Sequence, residues 1–76
     1  MKDAELAISD LHLAAYLLVR GFKVIRLEGP LGRREFIFAE VPTEVIASFY
    51  GGDDRVSARA LLDALRNLRG LLAQGA

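Results

Sequence analysis

The chain has 76 residues, no cysteine, and ten basic residues against ten acidic ones. That length allows one domain, residues 1–76. The lack of cysteine excludes a disulfide framework and a thiolate metal centre, and zero net charge excludes a uniformly basic nucleic-acid surface.

The apolar fraction, 53%, exceeds the roughly 45–50% of ordinary domains. A short chain has an unfavourable surface-to-volume ratio. So much apolar material predicts either a very full core or apolar surface that a partner covers. Met1 to Glu5 lacks the order of a secretion signal, and the longest apolar run, Leu13 to Val19, is shorter than the roughly 18 residues of a membrane span. The expectation is a cytoplasmic protein that does not engage a membrane.

Residues 1–8 read as an arm, flexible or helical, since Ala4-Glu5-Leu6-Ala7-Ile8 permits either. Ser9 or Asp10 caps a first helix over Leu11–Arg20, and Gly21 stops it. This helix is apolar almost all round. Its polar stripe is His12, Tyr16 and Arg20, spaced i, i+4, i+8. A helix with so narrow a wet face should be buried on most sides.

A β-hairpin follows, with arms Phe22–Glu28 and Arg34–Val41 joined by Gly29-Pro30-Leu31-Gly32-Arg33. Strict alternation puts Phe22 and Val24 on one face and Ile25 and Leu27 on the other. In the second arm it separates Phe36 and Phe38 from Ile37, Ala39 and Val41. Both faces are apolar, and a two-stranded ribbon is marginal alone in water. Helices of the chain, or a second copy of it, must cover both.

Pro42-Thr43 opens a short helix from Glu44 to Phe49 or Tyr50, with Thr43 as its cap and Glu44 in the first turn. Gly51 to Asp54 form a turn. Ser57 caps the last helix, which runs from Ala58 to about Arg69 or beyond, with Val56 stapled onto Leu61. Leu61, Leu65, Leu68 and Leu72 make its apolar stripe, and Leu62 widens it. Gly70 weakens its end, and residues 70–76 read as a frayed tail. The predicted fold is a single small α+β domain of order α-β-β-α-α. One antiparallel hairpin packs on helices, and a dimer can extend it into a larger sheet.

Charge alternates along the chain. The balance is −2 over residues 1–10, +4 over 20–34, −5 over 35–54 and +3 over 55–69. Blocks of opposite sign can pair within the fold or across a dimer.

Leu13-Ala14-Ala15-Tyr16-Leu17-Leu18 with Gly21-Phe22, then Phe36-Ile37-Phe38, Phe49-Tyr50-Gly51-Gly52, Val56 and a closing Leu/Arg helix form a recognisable series. The series, spanning residues 9 to 69, resembles a small bacterial and phage-associated domain family without an assigned activity. The resemblance implies a helix, a hairpin and closing helices, and it transfers no catalytic residue.

Ser9, Asp10 and His12 are the residue types of a hydrolase triad. On one helical turn they point apart, and a helix cap explains them. With no cysteine and a single histidine, no zinc site is expected. Asp53-Asp54 lacks the later ligands of a calcium loop. Gly29-Pro30-Leu31-Gly32 joins strands rather than helices, and Pro30 removes a backbone donor, so it does not serve as an RNA-clamping loop. Arg34-x-Phe36-x-Phe38 overlaps an RNA-recognition signature, but its glycine and final aromatic are missing. Neither catalytic residues nor cofactors are expected.

Two functional readings remain. The first is a non-enzymatic protein-interaction module that self-associates as a homodimer, through a hairpin edge and the last helix. Its interface candidates are Ile25, Leu27, Ile37, Leu61, Leu65 and Leu68. The second is a small nucleic-acid-binding accessory protein. It would use Lys23, Arg26, Arg33 and Arg34 of the hairpin, with Arg55, Arg59, Arg66 and Arg69 of the last helix.

Overall fold

A computed structural model describes residues 5–30, 32–52 and 54–74. Its elements are β1 (Glu5–Ile8), α1 (Leu11–Val19), β2 (Val24–Glu28), β3 (Glu35–Ala39), α2 (Thr43–Gly51) and α3 (Ala58–Gln74). The fold is α+β. Residues 5–8, expected to be an arm, are instead a strand; residues 1–4 lie outside the described residues. Leu6 and Ile8 alternate with Glu5 and Ala7, and pairing with β3 gives that alternation a sheet to join.

The three strands are ordered β1-β3-β2, and both outer strands run antiparallel to β3. β1 and β2 are therefore parallel to each other, with α1 as the crossover and β3 inserted between them. The hairpin is thus extended into a sheet by its own chain. As the central strand, β3 is buried on both faces: Phe36, Ile37 and Phe38 are 1%, 4% and 0% exposed.

α1 starts at Asp10, whose carboxylate accepts from the backbone N–H groups of His12 and Leu13. It ends at Gly21, at φ 101°, where Gly21 N–H bonds Leu18 and Phe22 N–H bonds Leu17. Those two bonds close the last carbonyls in a Schellman motif. As the sequence implies, α1 is sunk in the molecule, with Leu13 to Leu17 buried. Its small Ala14 and Ala15 leave no exposed surface. Ala64, Leu65 and Leu68 of α3 complete this core with Ile8, Phe36 and Phe38.

Three further expectations need correction. Thr43 is the first residue of α2 rather than its cap; Pro42 holds the cap position without a side-chain bond. α3 continues past Gly70, where a tail was expected to begin, through Gln74. Residues 75–76 of the proposed tail lie outside the described residues, as do Leu31 of the hairpin loop and Asp53 of the turn. The third correction concerns β2. Its register slips between Val24 and Arg26, leaving Ile25 as the extra residue of a bulge. A one-residue slip exchanges the faces of everything beyond it. Leu27 therefore joins Val24 opposite Phe36 and Phe38, and Arg26 lies opposite Ile37.

The molecule measures 36 × 35 × 17 Å. A thickness of 17 Å holds the sheet and one layer of helices, each about 10–12 Å across. The helices pack on the face bearing Phe36 and Phe38. Ile37 belongs to the opposite face, together with Glu5, Ala7, Arg26 and Glu28, all four exposed.

Candidate functional site

The helix-free face of the sheet is organised by one side chain. Glu5 lies opposite Ala39, and Arg26 opposite Ile37, so all four share this face. Arg26 reaches across β3. Its Nη2 and Nη1 donate to the two Glu5 oxygens at 2.6 and 3.1 Å, and its Nε donates to Glu28 at 2.5 Å. The two bonds to Glu5 match the guanidinium fork to a carboxylate. To make them, the Arg26 side chain must cross the central strand beside Ile37. Ile37, on that same face, is 4% exposed. The Glu5 bonds, followed by Glu28, hold the Arg26 guanidinium more firmly protonated than usual. The same bonds hold the Glu5 carboxyl below its ordinary value.

Among the described residues, no further strand pairs with either outer strand of the sheet. β2 is bulged at Ile25, whose side chain is 48% exposed. β1 pairs with β3 residue for residue, without a slip.

A second cluster ties the helices together. The Tyr16 hydroxyl donates to Asp54 at 2.5 Å, and Arg20 Nη1 donates to the Tyr16 oxygen at 3.0 Å and also pairs with Asp54. The Tyr16 ring stacks at 44° on Phe49 of α2, 5.2 Å away. Its bond to Asp54 raises the Tyr16 pKa, and the same bond lowers that of Asp54. This is a clamp that fixes the α2–α3 connection against α1. The sequence reading missed it, because Tyr16 and Asp54 are 38 positions apart. The available signal was the polar stripe on an otherwise apolar helix.

The six interface candidates separate. Leu65 and Leu68 fill the chain's own core, and Ile37, opposite Arg26 in the sheet, is buried as well. Leu27 and Leu61 are half-buried against the core, which leaves Ile25 exposed. The four basic hairpin residues do not gather either. Val24 lies opposite Phe38 and Glu28 opposite Glu35, so Lys23 stands at one end of the ribbon and Arg33 and Arg34 at the other. Arg26 between them is engaged by Glu5 and Glu28. Arg34 is half-buried and lines a cleft of about 270 Å³ with Ser9, Gly32 and Leu72. On α3, Arg59, Arg66 and Arg69 are exposed.

Among the described residues, no group of three or more His, Cys, Asp or Glu side chains is arranged to hold a metal ion. Among the same residues, no helix is long and apolar enough to cross a membrane. No family model, curated protein or solved structure matches this chain.

Proposed function

We propose that this chain is a non-enzymatic interaction module that self-associates as a homodimer. The observation that carries the reading is the one-sided sheet: helices cover one face, the other exposes Glu5, Ala7, Arg26 and Glu28, and among the described residues neither edge carries a further strand. Open sheet edges are templates for another strand, through backbone hydrogen bonds. A twofold dimer is the commonest closed arrangement for such contacts. The basic hairpin is the weaker candidate for a partner surface, since Arg26 is already engaged by Glu5 and Glu28.

Light scattering across a dilution series tests this reading. The expected result is a mass rising from 8.3 kDa toward twice that value with concentration. A constant mass of 8.3 kDa at every concentration overturns it.

A further inference from the structure

We infer that the dimer forms through β1, by antiparallel pairing of Glu5–Ser9 with the same segment of a second copy about a twofold axis at Ala7. This rests on the self-association reading and specifies its site. The result is one continuous sheet of six strands, twice the three of one copy.

The choice of edge follows from how sheets protect themselves. Free edges are commonly blunted by bulges, prolines or charges. β2 is blunted: it bulges at Ile25, and charged Arg26 and Glu28 follow. β1 has an unbroken register and no proline, and its one charged residue, Glu5, is held by Arg26 within the same copy.

The choice of register follows from parity. Residues directly opposed in an antiparallel pair point to the same face. With the twofold axis perpendicular to the sheet, each residue must therefore oppose one of its own parity. Centring on Leu6 sets Leu6 against Leu6 and Glu5 against Ala7, and pairs Ile8 with position 4, which lies outside the described residues. Centring on Ala7 sets Leu6 against Ile8, Ala7 against Ala7 and Glu5 against Ser9. This second register pairs the two core-facing side chains with each other. Leu6, half-buried at the edge of the core, gains an apolar neighbour, and the core continues from one copy into the next. On the helix-free face, the small exposed Ala7 meets its own equivalent at the axis.

Leu72 lines a cleft with Ser9, Gly32 and Arg34, which brings the end of α3 to the end of β1. So short a ladder buries less than a standard interface, and an affinity of roughly micromolar or weaker is expected.

The chain has no cysteine, so an introduced thiol is unambiguous. Opposed residues of an antiparallel pair have Cα atoms about 4.5–5.5 Å apart, within disulfide reach. Ala7→Cys should become a covalent dimer under mild oxidation, and Ile25→Cys, on the other edge, should stay monomeric. Ala7→Glu places like charges opposite each other and beside Glu5, and should weaken dimerisation by about tenfold or more. High salt should restore much of that loss while circular dichroism stays native, which separates repulsion from misfolding. If the unmodified protein is monomeric at about 1 mM, a thousandfold above a micromolar dissociation constant, both readings fall. If it dimerises, but Ala7→Glu has no effect and Ile25→Cys cross-links instead, self-association stands and the β1 site is overturned.

Discussion

Arg26 and Glu5 meet across the central strand, with both carboxylate oxygens of Glu5 held by one guanidinium. The pair is separated by 21 positions and joins the two edge strands over the strand between them. It stands where a second helical layer would stand in a thicker protein, on the face where Ile37, the register partner of Arg26, is 4% exposed. Because the guanidinium remains wet, the charges alone contribute little. The cover given by the side-chain stem matters more.

Arg26→Ala should therefore lower the urea midpoint, and Arg26→Met should recover part of the loss by restoring an apolar stem. Equal midpoints for Arg26→Ala and the unmodified protein would show that Ile37 needs no cover. Ile37→Asp should cost about 3 kcal/mol or more, since it buries an unpaired carboxylate. Urea denaturation measures all three.

Stability should vary with pH in the directions set by three groups. Asp54 and Glu5 titrate below their ordinary values of 3.8 and 4.5. Their contribution is present above those values and is lost as pH falls through the lower folded ones. Tyr16 titrates above its ordinary value of 10.0, so its contribution is present below 10.0 and is lost as pH rises through the folded value. For these groups the midpoint should be level between 4.5 and 10.0 and fall on either side. Asp54→Asn should shrink the acid limb and Tyr16→Phe the alkaline limb. An unchanged alkaline limb in Tyr16→Phe would remove the clamp from the account.

The core is small enough for single truncations to matter. Leu17 and Leu68 have no exposed surface, and replacing either by Ala should cost about 2–5 kcal/mol. For a domain of ordinary stability, about 5–15 kcal/mol, that is a large share. Leu62 is 63% exposed, and Leu62→Ala should change stability by less than about 0.5 kcal/mol. Chemical denaturation of the three variants checks the ranking.

Glu40 holds φ 56° where the chain leaves β3 for α2. This left-handed conformation is costly for a residue with a Cβ and free for glycine. Glu40→Gly should stabilise the protein by up to about 1 kcal/mol, net of the added freedom of the unfolded chain. A drop in the thermal midpoint would mean that the Glu40 side chain contributes more than its backbone costs.

Local signals made α1, the hairpin and α3 legible. Asp10, Gly21 and Ser57 mark the ends of helices by chemistry that acts within a few residues. Ser57 Oγ accepts from Ala60 N–H at 3.2 Å, as its position before the leucine stripe implies. The charge blocks were also legible in part: Arg20 of one block pairs with Asp54 of the next, and Arg26 with Glu5. Non-local contacts decided the rest. Four residues of alternation at Glu5–Ile8 fit a strand or a helix, and β3 selects the strand. The bulge at Ile25 leaves no mark in composition, yet it moves Leu27 to the core face and Arg26 to the open one. The open face was thus expected to be apolar, whereas it carries an ion-paired strap.

Backbone amide exchange at the two sheet edges, followed against protein concentration, tests the central claim most directly. The β1 amides in Leu6–Ile8 that β3 leaves unbonded should slow as concentration rises, while the free-edge amides of β2 keep their rates. Rates in β1 that do not change with concentration, or slowing confined to β2, would contradict the dimer built on β1.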